Sequence, residues 1–181
     1  MHDHYYFAYG SNTNLEQMKS RCPQAINLGW SVLENYRLAF RGHADVELSP
    51  GDQVEGLLWS VDDYDLEGLD IYEGFPDYYL RHRAMVYSPE LGFIKSWIYE
   101  MGSQDWESKP SQGYYDGCLA GYDANNISAR QLIEAASRAP VYAEPKAVTN
   151  TRRRTRGYSS AYVYGAAVNA AEKEYLINYA D

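Results

Sequence analysis

Cysteine is scarce in this chain: only Cys22 and Cys118 occur among 181 residues. Two thiols in a chain this long build neither a disulfide framework nor a zinc cluster. Long apolar runs are missing too, and nothing approaches the ~20 residues that a membrane span needs. The start, MHDHYYFAYGSN, carries no basic segment leading into a long apolar stretch. The expectation is a soluble chain in a reducing, cytoplasmic setting, with no membrane partner. Positive charge is also short. Residues 1–139 hold 10 Lys and Arg against 21 Asp and Glu, a net −11, while residues 140–181 are net +2. An acidic body argues against nucleic acid, whose phosphates call for basic surface.

What is present is apolar residues, 45% of the chain, enough for a continuous core. The aromatic content is lopsided, with 19 Tyr and only 4 Phe. Tyrosine adds apolar area and a hydroxyl that needs a partner, so it suits half-wet cavities as well as strands. The length favours one compact domain over residues 1–139, with an extension over 140–181 packed on it.

The run Tyr5 to Tyr9 reads as a buried strand stopped by Gly10. Asn12 or Asn14 then caps a helix carrying Leu15 and Met18, which closes at Cys22-Pro23. Strands follow over Leu28 to Leu33, Tyr36 to Arg41 and Val54 to Val61, with a turn at Pro50-Gly51. Asp62-Asp63 starts a helix that Gly74 and Pro76 end. Arg81 to Tyr87 and Phe93 to Met101 pair about Ser88-Pro89, and Ser111 to Tyr122 and Asn126 to Arg138 read as helices. Beyond Pro140, residues 144–157 are polar and basic; a strand over Ala161 to Tyr164 and a helix over Asn169 to Tyr179 follow. Strands and helices without a regular βαβ rhythm indicate α+β, or a mixed sheet curled into a barrel.

Three places can carry chemistry. The turn Tyr9-Gly10-Ser11-Asn12 leaves backbone N–H groups converging on one spot, a nest for a carboxylate or oxyanion; alone, it is equally ordinary turn chemistry. Glu73 lies four residues after Leu69 and seven after Leu66, which puts a carboxylate on the apolar face of its helix. Tyr72, Phe75, Tyr78 and Tyr79 would keep water from it, and desolvation raises a carboxyl pKa toward the range of a proton carrier. The competing reading is a solvated Glu at a helix end. Tyr114 offers a phenol, or a structural ring. Cys22 reads as a small buried hydrophobe, His2 and His4 as chain-end surface, and His43 and His82 lack ligand-like spacing. Arg152 to Arg154 and Arg156 read as a solvated loop.

Taken together these segments resemble the γ-glutamylcyclotransferase (AIG2-like) family. The resemblance is carried by YFAYGSN with Leu15, Met18 and Arg21-Cys22-Pro23, then YRLAFRG with Ala44-Asp45-Val46, PGDQVEGLLWSV and LDIYEGFPDYYLR. Pro110-Ser111, Tyr114 and Gly121 close the series. It runs from about Tyr5 to Tyr122. It implies a small mixed-strand β-barrel with surrounding helices and a site at one mouth. It also implies a reaction, the cyclisation of a small-molecule γ-glutamyl amide to 5-oxoproline with release of an amine or amino acid, and no cofactor or metal. By the same resemblance Glu73 is the general base; Tyr9, Gly10, Ser11, Asn12 and Tyr114 bind substrate. The rivals are a binding module of the same fold that recognises a γ-glutamyl or carboxylate ligand without chemistry, and an interaction protein working through residues 140–181.

Overall fold

The computed structural model describes residues 4–104 and 106–140. Its elements in chain order are β1 (His4–Ala8), a 3-10 turn (Ser11–Thr13), α1 (Leu15–Arg21), β2 (Ile26–Arg41) and β3 (His43–Val61). There follow α2 (Asp63–Glu73), β4 (Tyr79–Ser88), β5 (Gly92–Met101), α3 (Gln112–Ala124) and α4 (Arg130–Arg138). The strands close into a barrel in the order β1-β3-β2-β4-β5, which makes the chain an α+β barrel with surrounding helices. Every neighbouring pair is antiparallel except the closing pair, where β1 and β5 run parallel through Tyr6 and Trp97.

This arrangement of directions decides where a site can form. The ends of β1 and β5, the beginning of β4 and the β2–β3 reversal all fall at one end of the barrel. The reversal is at Gly42, between paired Arg41 and His43. Behind it Arg41, 1% exposed, is held by Asp45 at 2.6 Å and by Glu47. A buried guanidinium is tolerable only when its charge is matched in this way. Pro50-Gly51, expected as a turn, does not reverse the chain. Residues 49–52 of β3 stand opposite Asn35 alone, a register shift inside one long hairpin. Asn35 accepts φ 63° there, and its side-chain oxygen takes the Gly51 N–H at 3.1 Å. The two strands expected over 28–33 and 36–41 are therefore one. The helix expected from Asn126 begins at Arg130. The basic stretch, strand and helix expected beyond Pro140 lie outside the described residues.

Two of the helices that hold the site end as their sequences suggest. Asn14 caps α1, accepting from the N–H groups of Glu16 and Gln17. Asp62 caps α2 through the Asp65 N–H, and Gly74, at φ 65°, stops it immediately after Glu73.

The core fills from both sides of the sheet, with Phe7, Leu33, Phe40, Val46, Leu58 and Ile98 fully buried. At two positions packing is so close that only glycine fits. A Cβ on Gly56 would lie 2.2 Å from the Ala8 carbonyl oxygen and 2.7 Å from the Phe7 ring. A Cβ on Gly121 would lie 2.4 Å from Thr13 Oγ1 and 2.6 Å from the Asn14 nitrogen; this is how α3 presses on the turn after β1. Gly121→Ala is expected to lower the unfolding free energy by about 1–3 kcal/mol, since main chain must move. Gly117→Ala on the same helix meets only the tip of Gln17, 3.2 Å away, and should be neutral or slightly stabilising. Denaturant midpoints of the two variants check the contrast.

Candidate active site

β1 delivers the chain to the barrel end, where Gly10 lies close against α3 and the β2–β3 tip. A Cβ there would be 3.0 Å from the Tyr114 hydroxyl and 3.1 Å from Ala44 Cβ. The next residues wind into the 3-10 turn through Thr13 N–H to Gly10 O and Asn14 N–H to Ser11 O, both 3.0 Å. Ser11 and Asn12 are buried, and their main-chain N–H groups donate to no acceptor among the described residues. Buried backbone donors are nearly always paired, so these two are poised for an acceptor from outside the fold.

Glu73, half-buried as the last residue of α2, meets this turn from the other side. Asn12 Nδ2 donates to Glu73 Oε1 at 2.8 Å and to the Tyr6 hydroxyl at 2.8 Å. Burial pushes the Glu73 carboxyl up from 4.5 to about 7, against the charge of Arg21 and the hydrogen bond from Asn12, which both pull it down. A carboxylate at a helix C-terminus also faces the negative end of the helix dipole. The group thus changes charge near neutrality, as a proton carrier must.

Tyrosines form the walls. The Tyr9 hydroxyl donates to the Tyr99 main-chain oxygen, and the Tyr122 hydroxyl donates to the Tyr9 oxygen at 2.7 Å. Tyr79 donates to the Ala44 oxygen at 2.6 Å, while the Ala44 N–H donates to Tyr114 at 3.1 Å. Tyr99 donates to Asp70 at 2.8 Å, and Asp70 is paired with Arg81. Tyr6, Tyr9, Tyr79, Tyr99 and Tyr114 all feel the Glu73 charge, and burial first, then Glu73 among other neighbours, drives their phenols upward. They stay protonated as hydrogen-bond donors and as a low-dielectric lining.

The structure brings Tyr9, Gly10, Ser11, Asn12, Glu73 and Tyr114 together at one place. The polar side chains of the turn are engaged within the fold. The Asn12 amide is committed to Glu73 and Tyr6, while the Ser11 hydroxyl accepts from Arg21 at 3.1 Å and keeps its own hydrogen to donate beside the main-chain N–H groups.

Sequence reasoning gave Arg21, Tyr6 and His43 no role in the site. Arg21 had a readable signal, seven residues after the cap Asn14 and so on that face of α1. His43, at the hairpin tip, contacts Tyr78 at 3.1 Å and stacks edge-on against Tyr114 at 4.7 Å. Burial lowers it to about 4, so it is neutral. Nothing local marks it, because its neighbours come from the segment just before β4 and from α3. Cys22 is buried and its thiol is pushed up to about 12. His4 and His82 pair with Asp63 and Glu100. No cluster of metal-ligating side chains occurs among the described residues, and none of their helices is long and apolar enough to cross a membrane.

The family model for gamma-glutamyl cyclotransferase, AIG2-like proteins matches residues 6–117, a span that holds the turn after β1, Glu73 and Tyr114. The chain belongs to this family. Gamma-glutamylcyclotransferase of Bos taurus is 31% identical over 123 residues, covering 61% of this chain and 64% of that protein. The Homo sapiens gamma-glutamylcyclotransferase is 35% identical over 81 residues, 38% of this chain and 43% of that protein. The matched part therefore spans less than two thirds of these relatives. Among solved structures, one named gamma-glutamyl cyclotransferase superposes with a TM-score of 0.67 at 23% identity, covering 84% of this chain and 94% of that one. YkqA from Bacillus subtilis gives 0.66 at 24%, covering 77% and 56%. At such identities the superpositions speak to the family's fold.

The upward shift of Glu73 predicts a pH-dependent stability. A carboxyl whose pKa rises on folding favours the folded state fully below its unfolded value of about 4.5 and loses that contribution as pH climbs through about 7. Glu73→Gln, which has no charge to bury, should match the native protein at pH 4.5. It should be more stable by up to about 3 kcal/mol at pH 8. Thermal or urea unfolding of both proteins across pH 4.5–8 checks this; a constant difference would contradict the burial of an ionising Glu73.

Proposed function

We propose that this protein is an enzyme that cyclises a small γ-glutamyl amide to 5-oxoproline and releases the amine or amino acid, with Glu73 as general base and acid. The observation that carries the reading is the Glu73 carboxyl, titrating near 7 and hydrogen-bonded to Asn12 in the turn that offers two unpaired N–H groups. The names of the curated relatives and the family match support it.

The substrate's α-ammonium gives one proton to the Glu73 carboxylate. The freed amine attacks the γ-carbonyl carbon and forms the ring C–N bond. The negative charge that develops on the carbonyl oxygen is met by the N–H groups of Ser11 and Asn12. As the C–N bond to the leaving group breaks, Glu73 returns its proton to the departing nitrogen, and it then relays the second proton of the ring nitrogen to the released amine. No atom is added from outside, and the products are the five-membered lactam and the amine in its ammonium form.

The magnitudes suit such a site. Oriented intramolecular attack can supply about 7–11 kcal/mol, and an oxyanion donor about 2.7–4 kcal/mol. A base near 7 is ionised in about half of the molecules at neutral pH, yet returns its proton readily. The tyrosine lining and the neutral His43 keep competing charges away from the substrate.

The test is incubation with γ-glutamyl-alanine, γ-glutamyl-ε-lysine and glutathione, with 5-oxoproline read by mass spectrometry. Native protein is expected to form product from at least one of them, while Glu73→Gln binds substrate and forms none, a fall of more than about 100-fold. No product from any of them, with γ-glutamyl compounds still bound, would favour the binding module.

A further inference from the structure

We propose that Arg21 is a positioning residue for this site, acting through Asn12 and by its fixed charge on Glu73; the proposal deepens the reading of Glu73 as the base and rests on it. The Arg21 guanidinium closes α1 and reaches back over the turn that follows β1. Its Nη1 donates to Asn12 Oδ1 at 2.5 Å and to Ser11 Oγ at 3.1 Å, and its Nη2 donates to Gln17 Oε1 at 2.7 Å. The guanidinium lies over the Tyr72 ring, 3.7 Å from its centre, and Tyr72 immediately precedes Glu73.

These contacts settle which way the Asn12 amide points. With Oδ1 taken by a cation, the Nδ2 group is left facing Glu73 and Tyr6, the two bonds it makes. Flipped, the amide would set its oxygen against the Glu73 carboxylate and its nitrogen against the guanidinium, repulsive on both sides. Lysine could supply the charge but not the planar fork that holds Ser11, Asn12 and Gln17 together.

The charge of Arg21 acts alone in sign. The other titratable groups facing Glu73 are Tyr6 from β1, Tyr9 just after it, Cys22 after α1, Tyr79 from β4, Tyr99 from β5 and Tyr114 from α3. Burial pushes all of them up and keeps them neutral. Asp70 on α2 is matched by Arg81. Among the described residues, Arg21 is the one cation that draws Glu73 downward. At the C-terminal end of α1 a positive charge is also favoured by the helix dipole, so the helix and the base share one counterion.

The experiment compares native protein, Arg21→Lys and Arg21→Gln by two readouts. One is the acid limb of the kcat/KM profile on the best substrate found above. The other is the 13C titration of the Glu73 carboxyl, assigned by its loss in Glu73→Gln. In Arg21→Gln both should move up by about one pH unit, with kcat falling about 10- to 100-fold through the misplaced amide. In Arg21→Lys the titration should stay near native while kcat remains reduced. A Glu73 titration that does not move in Arg21→Gln overturns the proposal. Should Arg21→Gln fail to fold, an Asn12→Ser background decides. If the Arg21→Lys loss in kcat is as large there as in the native background, the action through Asn12 is refuted; if the loss shrinks, it is supported. If native protein makes no product at all, the functional reading fails, yet the carboxyl titration still decides whether Arg21 sets the state of Glu73.

Discussion

A hydrogen bond of 2.8 Å joins Asn12 to Glu73, and most of the molecule is organised to make it possible. One partner stands just past the end of the first strand, the other on the last turn of a helix that follows the third strand. The parallel closure between β1 and β5 brings the chain out at the end of the barrel where β4 starts and the long hairpin turns. Gly121 lets α3 press on the turn from behind, and Gly74 stops α2 before the carboxylate can be carried past it. The bond itself is worth little more than any charge-assisted contact. Its weight lies in fixing two segments 61 residues apart around a group that prefers to be neutral.

Much of this was readable in the chain, and the parts that were not share a cause. Caps are local chemistry, so Asp62 and Gly74 could be placed from their own neighbours, and the cap of α1 narrowed to Asn12 or Asn14. The apolar spacing of Leu66 and Leu69 carried Glu73 onto the buried face, and the order of the motifs carried the barrel. Pro50-Gly51 misled because turn composition is the same whether a chain reverses or merely bulges within a hairpin; only pairing with Asn35 decides which. The hidden reversal at Gly42 lay inside a run of strand-forming residues. Arg21 and Tyr6 were seen but given no role. Spacing could put Arg21 on the face of the cap, but the orientation of the partner amide, which gives both residues their meaning, is encoded in no sequence pattern. His43 needed Tyr78 and Tyr114, which arrive from the turn before β4 and from α3.

The tyrosine excess likewise has a physical sense once the walls are seen. Phenylalanine would exclude water equally well, but it could not bond the main-chain oxygens exposed where strands end. Tyr9, Tyr79 and Tyr122 each spend a hydroxyl on such an oxygen. The result is a surface that is dry, rigid and free of charge around one ionising carboxylate. Against such a lining, a single cation at Arg21 has a reach that it would lack in water.

Gly56 constrains the lineage of this barrel more than its stability. The atom it faces is the carbonyl oxygen of Ala8, only 2.2 Å from where a side chain would start. A tight contact between two side chains can be renegotiated, since a substitution on one side is offset by another across the interface. A contact with the main chain has no such exchange, because every amino acid carries the same oxygen. As the sequence drifts, Phe7 can change in step with its neighbours, but position 56 has no compensating partner and is frozen for as long as β1 and β3 keep this register.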